Sequence, residues 1–249
     1  MKTKRSIKRI LSLLIVLALA AALFPCSFAE DAENEVTLKD PTEVLTYGLR
    51  EGNGPLFITK GVLHRGEREE VAYLIALSGA GYNILAKNDF VNFFLSACSL
   101  PTDYLATVKK AAIKYIPAGS NVILAGHSLG GTTAQQFAGD RAMRERYNII
   151  NVLTCGSPEI VLLKREGSLH RLADVLDFVP VISLAGPVNL FLDISYELSS
   201  VILQAKLPHE YSYYEDDCWR RYDCLGVKGG NAFFTCSPED CVSLSLSRI

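Results

Sequence analysis

The chain has 249 residues, 49% of them hydrophobic, with 25 Lys and Arg against 27 Asp and Glu and a formal charge of −2. That length and apolar content suffice for one domain with a substantial core. An acidic balance with no basic run beyond the first residues excludes a surface built for nucleic acid.

Met1 to Ile10 hold Lys2, Lys4, Arg5, Lys8 and Arg9 and no acid, and an uncharged apolar stretch then runs to Ala29, broken by Pro25. Ser27 and Ala29 put small residues where a signal peptidase reads them. The pattern predicts a secretory signal peptide over 1–29, cleaved before Glu30, and hence an exported protein. The alternatives are an uncleaved anchor over 10–29, since that span is about long enough to cross a bilayer, and a lipoprotein anchor at Cys26, against which bulky Phe24 and Pro25 stand where small residues are expected. Without 1–29 the chain carries 20 basic residues against 27 acidic, and six cysteines.

Residues 30–50 predict an acidic, flexible start followed by a short helix. Residues 55–64 and 70–79 predict two strands joined by the charged turn His64 to Glu69. Residues 81–101 predict a loop with an apolar patch from Phe90 to Leu100. Residues 101–116 predict a helix with Leu105, Val108, Ala112 and Tyr115/Ile116 on one face, opened by Pro101 and ended by Pro117 and Gly119. The β-branched run 121–125 predicts a strand, with a helix from about Leu129 to Arg146 after it. Strands follow over 148–156 and 169–176, then an apolar helical stretch over 187–206. Strands separated by helices predict an α/β fold, a mainly parallel sheet with helices on both faces. Sites on such sheets form at the carboxyl ends of the strands.

Gly126-His127-Ser128-Leu129-Gly130 has the spacing G-x-S-x-G, followed by Gly131. A strand ends, the chain turns sharply and a helix begins. That elbow leaves the Ser128 hydroxyl exposed and turns the Leu129 amide toward the oxygen of an attacked carbonyl. A serine needs a base, and the base needs an acid, following it in chain order. Of four histidines, His64 precedes Ser128 and His127 lies inside the elbow. His170 is expected near the start of a strand. His209, in the loop Leu207-Pro208-His209-Glu210, is the candidate base. Asp177, locked by Phe178-Val179-Pro180 past strand 169–176, is the candidate acid, with Asp174 and then Asp193 as alternatives.

Cys218, Cys224, Cys236 and Cys241 crowd a C-terminal tail over about 216–249. Their spacings are not those of a zinc site. In an oxidising space they predict two disulfides of unspecified pairing. Cys155, at a strand end, reads as a small buried hydrophobe.

These blocks resemble the class 3 lipases, α/β-hydrolases related to fungal triacylglycerol lipases. Tyr73 to Ala80 resembles the family's oxyanion strand, Gly126 to Gly131 its elbow, Leu153-Thr154-Cys155-Gly156-Ser157-Pro158 its Thr-Phe-Gly-x-Pro block, and Asp177-Phe178-Val179-Pro180 its Asp-x-Val-Pro block. The resemblance covers about residues 70–215. It implies an α/β-hydrolase-type fold, Asp177 as the acid, a late histidine that fits His209, and amides of Leu129 and Ala80 as the oxyanion hole. Ser78 and Ala80 depart from it, standing where an arginine and a hydroxyl residue are usual.

The reading is thus a signal peptide over 1–29 and one α/β-hydrolase domain over 30–249. It is expected to be a secreted carboxylic ester hydrolase acting on lipid esters, with possible contact at a lipid interface and no metal or organic cofactor. The alternatives are a phospholipase, a short-chain esterase, or a non-catalytic secreted relative used for binding.

Overall fold

The computed structural model describes residues 35–49, 55–79, 100–160, 164–173, 177, 179–181 and 217–244. Among these, seven strands form one sheet in the order β1-β7-β2-β3-β4-β5-β6. The strands are β1 Val36–Leu38, β2 Leu56–Arg65, β3 Arg68–Leu77, β4 Asn121–His127, β5 Asn148–Cys155, β6 Ser168–Leu172 and β7 Phe233–Leu244. The helices are α1 Pro41–Leu49, α2 Asp103–Tyr115, α3 Leu129–Gly139 and α4 Arg141–Arg146. From β3 through β6 all neighbours are parallel. The β1-β7-β2-β3 side is antiparallel. This is the α/β-hydrolase-type sheet that the sequence predicts, with an antiparallel flank added.

Strand alternation divides the core between two faces. On β3 and β4, Ala72, Leu74, Ala76, Ile123 and Ala125 turn one way, toward α1 and the tail residues Trp219, Tyr222 and Leu225. Tyr73, Ile75, Leu77, Val122 and Leu124 turn the other way, toward α2, α3 and α4. The predicted hairpin forms, with Arg65 paired to Arg68 across the two-residue turn Gly66-Glu67. Helix α2 starts at Asp103, two residues after Pro101. Thr102 is its N-cap, accepting from the Leu105 amide at 3.0 Å, a contact worth about 1 kcal/mol.

Three expectations are corrected. The helix expected over 129–146 is two helices. Asp140 adopts extended backbone (φ −67°, ψ 126°), which ends α3, and its carboxylate accepts from the Met143 amide at 3.1 Å to start α4. The strand expected over 169–176 ends at Leu172, level with Cys155 at the end of β5. Among the described residues β6 is the last strand of the sheet; residues 174–176 lie outside the described residues.

The tail supplies the third correction. Its residues 233–244 form β7, inserted between β1 and β2. Cys224, Cys236 and Cys241 are free thiols, so the two expected bridges are not formed; the Cys218 side chain lies outside the described residues. Other groups do the fastening. The buried Asp223 carboxylate accepts from the amides of Leu225 at 3.0 Å, Val227 at 2.9 Å and Ala232 at 3.3 Å. Ladder bonds to β1 and β2 hold the rest. Cys241 Sγ lies 3.2 Å from Tyr47 Oη and 3.3 Å from Thr59 Oγ1.

Candidate active site

β4 delivers Ser128 to the carboxyl edge of the parallel strands, and α3 begins at the next residue. The turn between them is as sharp as the glycines allow. A Cβ on Gly126 would stand 2.5 Å from the Gly130 carbonyl carbon, so only glycine lets the helix fold back this tightly on the strand. Ser128 has φ 53° and ψ −124°, and is the one non-glycine residue with positive φ among those described. Such backbone costs on the order of 1–3 kcal/mol and persists only where its surroundings enforce it.

The enforcement is visible in the hydrogen bonds. The Ser128 amide donates to Cys155 O at 3.1 Å, tying the elbow to the end of β5. The Ser128 carbonyl accepts from the amides of Gly131 at 3.0 Å and Thr132 at 3.2 Å, and from Ser157 Oγ at 2.9 Å. Gln135 on α3 holds the chain beyond Ser157, donating to Pro158 O at 2.9 Å and accepting from the Ile160 amide at 3.2 Å. Glu159 in that segment pairs with the buried Arg171 of β6 at 2.7 Å.

The exit of β3 forms the other wall. A Cβ on Gly79 would lie 3.0 Å from Ser128 Cβ and 3.2 Å from His127 Nδ1, so the backbone passes directly beside the serine. Ala80, the expected oxyanion donor, is the next residue and lies outside the described residues. Tyr104 anchors this exit from α2. Its buried hydroxyl donates to Pro55 O at 2.6 Å and lies 3.3 Å from Ser78 O. Burial raises its pKa, keeping the phenol a donor.

Leu129, the other expected oxyanion donor, is the first residue of α3, its side chain fully buried. Helix amides at this position point outward from the helix start and favour a developing negative charge. Asp177 lies past the end of β6, is 2% exposed, and accepts from the Val179 amide through Oδ1 at 3.0 Å. That bond caps the short 3-10 turn Val179–Val181. Ser128 and Asp177 thus both lie past carboxyl ends of parallel strands, with β5 between them.

His209 and the alternative acids Asp174 and Asp193 lie outside the described residues. Of the other histidines, His127 stays within the elbow, and two stand elsewhere. His170 pairs with Leu153 in mid-strand, half-buried under the tail turn, its Cβ 2.9 Å from where a Gly226 Cβ would be. Burial lowers its pKa, offset in part by the Asp223 carboxylate. His64 stacks on Phe233 at 4.2 Å near the far hairpin. Cys155 is fully buried, and desolvation raises its thiol pKa. Among the described residues no group of three or more His, Cys, Asp and Glu gathers to hold a metal ion.

Sequence reasoning missed Gly79, Tyr104, Ser157 and Gln135 as parts of this site. Tyr104 could have been found, because it stands four residues before Val108 on the buried face of α2. Gln135 carries no sequence signal, since its partners are backbone atoms far along the chain.

Comparison with known proteins agrees with this geometry. The family model described as lipase (class 3) matches residues 70–184. The match runs from β3 through the elbow to the 3-10 turn after Asp177. No curated protein and no solved structure matches the chain.

Proposed function

We propose, for a chain whose residues 70–184 belong to the class 3 lipase family and make it a lipase-type ester hydrolase, that Ser128 is the nucleophile of a Ser-Asp-His triad completed by Asp177 and His209. The observation that carries the proposal is the Ser128 backbone, held at φ 53° at the junction of β4 and α3. A strained elbow at the start of a helix, its serine N–H and C=O both hydrogen-bonded, is how a serine hydroxyl is presented to a carbonyl.

In this reading His209 takes the hydroxyl proton as Ser128 Oγ bonds to the ester carbonyl carbon. The carbonyl electron pair moves to oxygen, and the amides of Leu129 and Ala80 hold that charge. Collapse of the tetrahedral adduct breaks the ester C–O bond, and His209 protonates the departing alcohol. Water then attacks the acyl-enzyme, giving its proton to His209, and Ser128 leaves with that proton as the carboxylic acid departs. Asp177 orients His209 and stabilises its cation. The chain's own residues perform every step of this sequence.

The substrate is a lipid ester. The support is the family's lipase character together with the apolar stretches Phe90 to Leu100 and 187–207, which flank the two halves of the site in sequence. The same reading has the chain exported with removal of 1–29, and has 30–249 act as one domain. N-terminal sequencing of the exported protein is expected to begin at Glu30.

Fluorophosphonate labelling tests the centre of the proposal. The wild type should incorporate one label at Ser128 and lose turnover in step. Ser128→Ala should take no label and keep its melting temperature. Ester hydrolysis that survives in Ser128→Ala would end the proposal. A kcat/KM that falls from two-carbon to eight-carbon acyl esters would make the substrate a short-chain ester rather than a lipid.

A further inference from the structure

We infer that Ser157 is a positioning residue for the oxyanion hole, acting through the peptide unit that joins Ser128 to Leu129. The inference rests on Ser128 being the nucleophile and on the Leu129 amide facing the oxyanion.

A peptide unit is planar, and its C=O and N–H point in opposite directions. The Ser128 carbonyl and the Leu129 amide belong to one such unit. Whatever fixes the direction of that carbonyl also fixes the direction of that N–H. The Ser157 hydroxyl donates to the carbonyl at 2.9 Å from outside the helix. Its other acceptor within reach is Cys155 O at 3.2 Å, the same carbonyl that accepts from the Ser128 amide. Rotation at Ser128 about φ is resisted by the bond on its N–H. Rotation about ψ is resisted by the bonds on its carbonyl, and Ser157 supplies a side-chain donor among them.

The hydroxyl has little freedom to do anything else. Ser157 is 2% exposed. A Cβ on Gly131 would fall 1.9 Å from Ser157 Oγ and 2.7 Å from Ser157 Cβ. The first turn of α3 is therefore bare at the point where the hydroxyl enters, and a side chain there would push it out. A donor on the carbonyl also polarises the peptide unit and strengthens the N–H at its other end as a donor. The aimed and polarised amide is used only when the ester oxygen becomes negative. Its loss should therefore act on the transition state and not on substrate binding.

Within the family block quoted above, Ser157 stands at the unspecified position of Thr-Phe-Gly-x-Pro.

The test is Ser157→Ala, with Gly131→Ala as a second variant that keeps the hydroxyl but displaces it. For each, kcat and KM are measured on a short p-nitrophenyl ester, the active fraction is titrated with a fluorophosphonate, and affinity is measured for an alkyl boronic acid, which mimics the tetrahedral adduct. We expect kcat per titrated site to fall about tenfold, equivalent to about 1.4 kcal/mol in the barrier, with KM within about twofold. Boronate affinity should fall by the same factor. An unchanged kcat per titrated site would overturn the inference. So would a kcat that falls only because fewer sites titrate, which marks lost folding. A kcat that falls while boronate affinity holds would also overturn it, since the oxyanion hole would then be intact. The parent reading is separately read by Ser128→Ala: if that variant hydrolyses the ester, the nucleophile assignment fails, whatever Ser157→Ala does.

Discussion

The two sides of the sheet are built by different means. The parallel side, β3 to β6, comes from one continuous stretch of chain in which each strand is followed by its crossover and takes its place beside the last. The antiparallel side brings β1 from residue 36 together with β7 from residue 233 onward, and inserts β7 against β2. The parallel side spends its short contacts on holding one strained residue, Ser128. The antiparallel side has no such residue among those described, and its buried Asp223 closes a turn. The contrast separates chemistry from fastening, and variants should lose one without the other.

The largest effect is expected from Asp177→Asn. Asparagine keeps an Oδ1 to accept from the Val179 amide, so the 3-10 turn should persist. It cannot hold an imidazolium, and kcat should fall by roughly 10³–10⁴ with little change in melting temperature. A variant that unfolds instead would mean that Asp177 fastens the fold, and the separation would fail on its own side.

Asp223→Ala should do the reverse. It leaves the amides of Leu225, Val227 and Ala232 without their acceptor in a buried turn. Stripping acceptors from buried amides costs on the order of 1–3 kcal/mol each when no water replaces them, and a total of at least about 3 kcal/mol is expected by urea titration. Turnover per fluorophosphonate-titrated site should stay at the wild-type value. Loss of turnover per site would show that the tail reaches the chemistry. Alkylation in denaturant without reductant should also modify Cys224, Cys236 and Cys241, because hydrogen bonds and packing hold this side together.

The contrast also explains what could be read in advance. The hairpin β2-β3, the helix α2, the strands β4 and β5 and the elbow are local patterns, each written within one short continuous stretch of chain. The break at Asp140 was hidden because Arg141 to Arg146 continues a helical composition, and only the cap on Met143 gives it away. Strand β7 was hidden because Ser237-Pro238-Glu239-Asp240 and the flanking cysteines look like a loop. β1 and β2 pair with Phe234 to Cys236 and β2 takes up Cys241 to Leu244, while Ser237 to Asp240 are the extra residues absorbed where the β2 register shifts between Thr59 and Gly61. In the site, the proposed nucleophile Ser128 and the proposed acid Asp177 are legible as motif residues. The groups that hold them, Ser157, Gln135 and Tyr104, bond to backbone atoms 23 to 49 positions away, and no spacing rule records such a bond.

Tyr104→Phe probes the seam between the two sides, since its hydroxyl bonds the residue before β2 and lies beside the carbonyl that follows β3. Its removal takes one donor from buried carbonyls and should cost about 1 kcal/mol of stability. Because Gly79 lies beside Ser128, a loss of a few-fold in kcat should accompany it. Stability lost with kcat unmoved would mean that the β3 exit is held by the ladder alone.

The smallest effect belongs to His170, a residue of the parallel side whose charged neighbour, Asp223, belongs to the tail. Desolvation under the tail turn lowers its pKa, and the Asp223 carboxylate opposes part of that shift. The unfolded chain, with a histidine pKa near 6.5, then binds more protons than the folded chain as pH falls through this range. Stability contributed by neutral His170 is fully present above about 6.5 and is lost as pH drops toward the lower folded value. Replacing His170 with glutamine removes the titration and keeps a polar side chain of similar reach. The melting temperature of the wild type should therefore fall more steeply than that of His170→Gln between pH 7 and pH 5, with turnover per titrated site equal at pH 7. The residual attraction to Asp223 sets how small the difference is. In an Asp223→Asn background the folded pKa should drop further, so the gap between the two slopes should widen. Parallel slopes in both backgrounds would mean that water reaches the ring, and that the tail turn covers this strand less tightly than its packing indicates.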